Sequence, residues 1–245
     1  MNDLLALAVE AHGGLLRWNE FKTLKAELSV GGAIWHVKQQ PGLLTDKIFE
    51  IDTHAERLTI TPFTASDRRS VFVPNRLMLE TLDGTAIESR DDPEASFAGQ
   101  TLETAWDKFH VAYFASEALW TYLTSPFLYT YARFECEEIE PWHENGEVWR
   151  RLKVTFPDDI ASHTKTQITH FGPDGLMRRH DYTVDILGGG DRRQLPQRLS
   201  RLPGHEDADE AAHLRLRPDH AEGARADARL ARFRRADLQL SCDGA

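Results

Sequence analysis

The first residues of the chain carry apolar side chains at helical spacing, which predicts a helix over residues 2–17. Its apolar positions are Leu4, Leu5, Ala8, Ala11 and Leu15. Asn2 or Asp3 stands just before them and is expected to cap the helix. Gly13 and Gly14 follow, so we expect the helix to end or bend there.

The pattern then changes to short alternating runs that are separated by turn residues about every ten positions. The runs are FKTLKAELSV, AIWHVKQ, LTDKIFEIDT, ERLTITPF, RRSVFVPN and RLMLETLDG. Strands that follow one another in this way, without helices between them, predict an antiparallel meander.

A helical period returns after a predicted polar loop, ESRDDPEASFAGQ. The segment AWDKFHVAYFASEALWTYLTSPF predicts a buried central helix that ends before Pro126. Two hairpins are predicted next, with turns at Asn145-Gly146 and at Pro173–Gly175. The register of the second hairpin decides whether His170 and His180 share a face: a three-residue loop places them together, and a four-residue loop places them apart.

These elements predict a single α+β domain over residues 1–190. We expect a curved antiparallel sheet, with the N-terminal helix and the central helix packed on one of its faces. Residues 191–245 are predicted to form an irregular tail, either disordered or loosely helical.

The tail differs sharply in composition from the rest of the chain. Residues 191–245 contain eleven arginines and no Ile, Val, Thr, Tyr, Trp, Asn, Met or Lys. All six tryptophans and all five tyrosines precede it. One interpretation is a genuine low-complexity tail, which is the usual meaning of such composition.

The other interpretation is a shift of the reading frame in the G-run that encodes Gly188–Gly190, and we favour it. Codons for Ile, Thr, Asn, Lys and Met begin with A, and those for Tyr and Trp begin with T. In a GC-rich gene the third codon position is mostly G or C. Reading one base out of frame turns that position into the first, and these residues disappear. The histidines and acids of GHEDADEAAHLRLRP then reflect base composition rather than a metal site.

The segments EAHGGLLRW, SFAGQTLETAWDKFHVAYFASEALWTYLTSPF and HFGPDGLMRRHDY resemble a group of uncharacterised bacterial proteins. Their layout is similar to the LolA/LolB-like lipoprotein-carrier fold, and the resemblance covers roughly residues 1–190. It implies a half-barrel, in which a curved sheet and helices enclose an apolar cavity. The last strands of such a sheet are rich in Tyr, Arg and Val, and a one-base shift of the tail restores residues of this kind.

Charge and composition exclude several classes of function. The net charge is −10, which is unfavourable for nucleic-acid binding. Two distant cysteines, Cys136 and Cys242, make neither a disulfide framework nor a zinc site, and no cofactor is predicted. The start, MNDLLALAVEAHGG, does not have the pattern of a signal peptide, and no run of about eighteen apolar residues occurs. We therefore expect a cytoplasmic protein without a membrane span.

The central helix carries the densest group of candidate catalytic residues. Asp107, His110 and Tyr113 are three positions apart and so lie near one face. Asp107 and His110 could form an acid-base pair or supply two metal ligands. The alternative is an acid at the helix N-terminus beside a hydrogen-bonded core histidine, and this alternative is favoured.

Three histidines, His163, His170 and His180, lie on the second hairpin and could contribute to a metal site, although no complete set of ligands can be named. His12 is interpreted as a helix C-terminal residue that interacts with the dipole.

Aromatic residues around the central helix favour a pocket for a small apolar or amphipathic ligand, between that helix and the sheet. The predicted lining residues are Trp35, Trp106, His110, Tyr113 and Trp120. Two alternatives remain: an enzyme that uses Asp107 and His110, and a structural or interaction protein without a pocket.

Overall fold

The chain combines a large antiparallel sheet with four α-helices, among the residues that the computed structural model describes: 1–144, 146–187, 195–198, 213–216 and 231–237. The helices are α1 (Asp3–Ala11), α2 (Leu15–Trp18), α3 (Ala33–Val37) and α4 (Lys108–Thr124). Short 3₁₀ turns cover Glu94–Phe97, Phe127–Thr130 and Asp185–Leu187.

The strands fall into three groups along the chain. Before α4 lie β1 (Thr23–Leu28), β2 (Lys47–Asp52), β3 (Leu58–Thr61), β4 (Arg68–Val73), β5 (Arg76–Thr81) and β6 (Ala86–Asp91). After α4 lie β7 (Glu135–Glu144), β8 (Glu147–Thr155), β9 (Thr166–Phe171) and β10 (Met177–Tyr182). The last group is β11 (Leu195–Arg198), β12 (His213–Leu216) and β13 (Ala231–Asp237).

These strands form one sheet in the order β6-β5-β4-β3-β2-β1-β13-β12-β11-β10-β9-β8-β7. Each neighbouring pair is antiparallel, which confirms the predicted meander and hairpins. β6 and β7 lie at opposite ends of this order, so the sheet is open.

The core follows from the alternation of apolar residues along the strands. Phe49 and Ile51 of β2 and Leu58 and Ile60 of β3 are all fully buried. Side chains at i and i+2 point to the same face of a strand, so these residues form one apolar surface. Helix α4 packs against β3, β4 and β5, and α1 packs against β8.

The predicted N-terminal helix divides into two. Asn2 caps α1, and its side chain accepts a hydrogen bond of 2.8 Å from the N–H of Leu5. Gly13 and Gly14 have φ angles of 113° and 81°, values that favour glycine, and they separate α1 from α2. The expected end or bend at these glycines is confirmed.

Two elements differ from the sequence prediction. AIWHVKQ was expected to be a strand, but Ala33–Val37 is helix α3, and the helical turn buries Trp35. A short apolar run does not distinguish a strand from a buried helical turn. The predicted loop that begins at Glu88 instead continues strand β6, which is an edge strand with mostly exposed side chains and therefore has no apolar alternation.

The tail was expected to be irregular, but three of its segments are strands. β13 pairs with β1, and β11 pairs with β10. The tail strands therefore lie between the two halves of the sheet that flank α4 in sequence. The other residues of 191–245 lie outside the described part of the chain, and the predicted reading-frame shift stays a prediction.

Candidate functional site

Asp107 and His110 form a reciprocal cap at the start of α4. The Asp107 side chain accepts a hydrogen bond of 2.9 Å from the N–H of His110. In return, Nδ1 of His110 lies 3.1 Å from the backbone nitrogen and 2.9 Å from Oδ1 of Asp107. This arrangement satisfies backbone N–H groups that the first turn of a helix leaves unpaired.

The second ring nitrogen of His110 is also occupied. The indole N–H of Trp106 donates to Oε1 of Gln100 over 2.9 Å, and indole nitrogen is only a donor. The amide nitrogen of Gln100 therefore faces Nε2 of His110, at a distance of 2.9 Å, and it donates to the carbonyl of Ser96 over 3.0 Å. Nε2 also lies 3.3 Å from the carbonyl of Ser96, so it is not open to a substrate.

Arg90 makes a two-pronged ion pair with Asp107, with one Nη1–Oδ1 distance of 3.2 Å. Partial burial would raise the pKa of Asp107. The hydrogen bonds from Arg90 and from the backbone of His110 outweigh burial, and the pKa lies below its ordinary value. Asp107 is thus a cap whose ionised form is favoured, which argues against its use as an acid.

If Asp107 is mainly a cap, Asp107→Ala should lower the free energy of unfolding by about 1–2 kcal/mol. Asp107→Asn keeps an oxygen that caps the helix and loses only the ion pair with Arg90. Its loss of stability should therefore be clearly smaller. Urea unfolding of the two variants measures this. Equal losses in the two variants would show that the charge, and not the cap, dominates.

Four of the five predicted ligand-lining residues gather in one aromatic cluster. The ring centroids of Trp35 and Trp106 are 6.3 Å apart, and those of Trp106 and His110 are 6.4 Å apart. Phe97 lies 5.5 Å from Trp106 and 5.6 Å from Tyr113. Trp35, Trp106 and Tyr113 are all buried by this packing. Their role as ligand contacts stays a prediction.

Trp120 lies apart from the aromatic cluster. Its indole N–H donates to the carbonyl of Asp52 at the end of β2, over 2.9 Å, and the side chain is fully buried. The structure thus assigns it a place in the core between α4 and the first half of the sheet.

A buried carboxylate-imidazole pair, which was not predicted, lies on the other side of α4. Nδ1 of His163, from the loop between β8 and β9, is 2.8 Å from Oε1 of Glu117 on α4. Both side chains are almost inaccessible, at 5% and 1% exposure. The N–H of Asp185 donates to the carbonyl of His163 over 3.0 Å and fixes the loop.

Two tyrosines and a further histidine adjoin this pair. The hydroxyls of Tyr122, on α4, and Tyr182, on β10, are 2.6 Å apart. The His163 and Tyr182 rings stack at 5.2 Å, and the His180 ring lies 5.2 Å from Tyr182. Nε2 of His180 is buried without a partner in the described part of the chain. We call Glu117, His163, Tyr122, Tyr182 and His180 the polar cluster.

Phe114 connects the two groups of residues. Its ring centroid lies 5.1 Å from Trp106 in the aromatic cluster and 4.7 Å from His163 in the polar cluster. Phe114 is only half-buried. The aromatic cluster and the polar cluster therefore line one continuous region beside α4.

Burial controls the ionisation of the polar cluster. Burial raises the pKa of Glu117, and the neighbouring His163 only partly opposes this. Burial also raises the pKa of Tyr182 and lowers the pKa of His180 to about 3. At neutral pH, His180 and Tyr182 are therefore uncharged.

The buried, neutral His180 should make the folded protein less stable in mild acid. Its folded pKa of about 3 lies below the ordinary 6.5, so below pH 6.5 the unfolded chain binds a proton that the folded chain does not. The contribution of neutral His180 to the free energy of unfolding is fully present above pH 6.5. It falls by about 1.4 kcal/mol per pH unit as the pH decreases towards 3. Between pH 7.5 and pH 5, His180 should thus lower the free energy of unfolding by about 2 kcal/mol.

His180→Gln should remove this part of the pH dependence, which urea unfolding at the two pH values measures. His36→Gln is the matched control because His36 is exposed. The control should keep the wild-type difference between the two pH values. The same difference in His180→Gln would contradict a neutral, buried His180.

His170 and His180 lie on opposite faces of the hairpin. Arg179 is opposite His170, and His180 is opposite Thr169, so the register places the two imidazoles apart. His170 instead contacts Asp181, with Nε2 3.0 Å from the carboxylate. No group of three His, Cys, Asp or Glu in the described ranges is arranged to hold a metal ion. His12 ends α1, with Nδ1 2.7 Å from the carbonyl of Ala8.

A separate cavity of about 320 Å³ lies between the start of α1 and β7, and Leu5, Tyr129, Phe134 and Cys136 are part of its wall. Burial raises the pKa of the Cys136 thiol to about 11, so it is a poor nucleophile at neutral pH. No helix in the part of the chain that the structure describes is long and apolar enough to cross a membrane.

No protein-family model matches the chain, and no curated protein matches it. Two solved structures are similar to it in part. A LolA superfamily protein from Nitrosomonas europaea is 8% identical, with a TM-score of 0.46 over 95% of this chain and 92% of that one. A DUF1329 family protein from Desulfovibrio piger is 10% identical, with a TM-score of 0.35 over 81% and 78% of the two chains. The solved structures similar to this chain thus include members of the LolA superfamily and of the DUF1329 family.

Proposed function

We propose that the protein binds a small apolar or amphipathic ligand in the region between α4 and the β9–β10 hairpin. The observation that carries this proposal is an incompletely covered stripe on α4. Phe114, Ala118 and Tyr122 are spaced four residues apart, which places them on one face of the helix, and all three are half-buried.

The stripe contrasts with the opposite face of α4. Phe109, Ala112 and Trp120 belong to the core, and α4 contacts β3, β4 and β5. A helix with apolar residues on all sides is normally covered on all sides. A ligand beside Phe114 and Tyr122 would complete the cover.

The surroundings of the stripe support an amphipathic ligand. Ile186 and Leu187 directly follow Asp185, whose backbone is hydrogen-bonded to His163, and both are partly buried against the core. An apolar wall of this kind beside a few polar groups is the usual composition of a small-molecule site. Buried polar atoms without a partner, such as Nε2 of His180, are costly unless water or a ligand satisfies them.

The enzyme alternative with Asp107 and His110 has less support, because both ring nitrogens of His110 are already engaged. A protein without a ligand, in which the core alone has a structural role, is distinguished from our proposal by direct binding. A cytoplasmic location remains part of the proposal, and fractionation of source cells tests it.

The test is binding of the neutral dye Nile red to the purified full chain, followed by fluorescence, with native mass spectrometry for any ligand that co-purifies. We expect saturable binding of one dye per chain. Ala118→Trp should fill the space beside the stripe and weaken binding at least tenfold. Ala33→Trp, at an exposed alanine of α3, is the matched control and should bind like the wild type.

The melting temperature of each variant shows whether it is folded. Absence of saturable binding to the folded wild type would overturn the proposal. Equal binding by the wild type and a folded Ala118→Trp would show that the dye binds elsewhere.

A further inference from the structure

The polar end of the proposed ligand site is formed by the polar cluster at one side of the stripe on α4. Phe114 lies 4.7 Å from His163, and Tyr122 hydrogen-bonds to Tyr182. An amphipathic ligand that places its apolar part along Phe114 and Tyr122 would bring its headgroup to His163, Tyr182 and His180. The groups that meet the headgroup therefore decide which headgroups are accepted.

In the part of the chain that the structure describes, no Lys or Arg side chain is left over to pair with an anionic headgroup in the polar cluster. No Lys or Arg of the described residues is paired with Glu117, His163 or His180. Arg178 pairs with Asp174, and Arg179 pairs with Asp181 on the opposite face of β10. Glu94 and Asp185 add negative charge near Glu117. A buried carboxylate or phosphate would have to remain unpaired, which is strongly unfavourable.

His163 is already paired with Glu117, and its hydrogen-bonding role depends on which of the two groups holds the shared proton. With an ionised Glu117 and a neutral ring, the proton lies on Nδ1, which donates to the carboxylate, and Nε2 is a hydrogen-bond acceptor. If Nδ1 accepts instead from a protonated Glu117, Nε2 carries the proton and is a donor. A group that both donates and accepts can pair with His163 in either state.

We infer that this site selects amphipathic ligands whose headgroup is an uncharged hydroxyl, such as a fatty alcohol or a monoacylglycerol, over those that end in a carboxylate or a phosphate. A hydroxyl donates one hydrogen bond and accepts others, so it fits His163 and can reach the hydroxyl of Tyr182 or the unpartnered Nε2 of His180. This inference rests on the proposed function, since it names the ligand class of the same site.

The test is displacement of Nile red from the wild-type chain at pH 8 by ligands that share a twelve-carbon chain. The probes are monolauroylglycerol, dodecanol, dodecanoate and dodecylammonium, each kept below its critical micelle concentration. We expect the two hydroxyl ligands to displace the dye at concentrations at least tenfold lower than dodecanoate, since about 1.4 kcal/mol corresponds to tenfold.

Each other outcome has a definite meaning. Equal or better displacement by dodecanoate overturns the inference and leaves the proposed function standing. Tighter binding of dodecylammonium than of dodecanol also overturns it, because the site then selects a cation. If Nile red binds but none of the four ligands displaces it, the inference fails, whereas absence of dye binding overturns the proposed function itself.

A pair of matched variants connects the selectivity to the polar cluster. Tyr182→Phe removes one hydroxyl from the cluster and should weaken binding of monolauroylglycerol by about fivefold, the effect of one neutral hydrogen bond. It should leave dodecanoate unchanged. Tyr129→Phe removes an equally buried hydroxyl that instead contacts Thr169, and it should bind like the wild type. Unchanged selectivity in a folded Tyr182→Phe would remove the polar cluster from the site.

Discussion

Trp120→Ala is expected to lower the free energy of unfolding by about 3–5 kcal/mol, which is typical for a large aromatic residue deleted from a core. The Trp120 side chain is fully buried, and its indole N–H satisfies the carbonyl of Asp52. The truncation therefore leaves both a cavity and an unpaired carbonyl. Because total stability is usually about 5–15 kcal/mol, this single change removes a large part of it.

Trp120→Phe separates packing from the hydrogen bond. Phenylalanine keeps an aromatic ring of somewhat smaller size but lacks the indole N–H. Its loss of unfolding free energy should therefore be roughly half or less of that caused by alanine. Urea unfolding of both variants without added ligand provides the measurement. If Trp120 lined the ligand instead of the core, Trp120→Ala would be nearly as stable as the wild type and would lose only Nile red binding.

The fold was predictable where the pattern of residues is local. Alternation in ERLTITPF and RRSVFVPN predicts strands, and β3 and β4 lie within them. The helical period from Phe109 to Leu123 predicts α4, because a turn of 3.6 residues leaves a clear trace over seventeen residues. The segment AIWHVKQ is too short to show a helical period, and the tertiary contacts that bury Trp35 stabilise helix α3 there.

The site was predictable only in part, for the same reason. Asp107 and His110 meet because residues three apart on a helix are neighbours, so their contact could be expected. Glu117 and His163 are 46 positions apart, and only the tertiary fold brings them together. One local sign existed, since Glu117 is the only acid within the apolar sequence of α4. The separation of His170 and His180 required the register of the hairpin, which the sequence left open.

We expect the genomic sequence to contain one base fewer than the reading frame used here, within the codons for Gly188–Gly190. Residues 191–245 would then be read out of frame, as their missing residue types indicate. The measurement is DNA sequencing across these codons, together with the intact mass of the protein from its native source. An unchanged frame and a matching mass would make the arginine-rich tail genuine.

The architecture shows why the reading frame has a large effect on stability. β11, β12 and β13 lie between β10 and β1, so the sequence after Leu187 provides the connection between the two halves of the sheet. Strands in such a position favour β-branched and aromatic residues. The tail has no Ile, Val, Thr, Tyr or Trp, and three of the seven residues of β13 are arginines.

A chain with the restored frame should therefore unfold cooperatively at a higher temperature and resist subtilisin over its full length. The present chain should be cut within residues 191–245 and should associate, because weakly held tail strands leave β1 and β10 as unprotected edges. Thermal unfolding, limited proteolysis and size-exclusion chromatography of the two chains test this. A present chain that is monodisperse and resistant to protease over its full length would contradict the argument, since its tail strands would then be stable despite their composition.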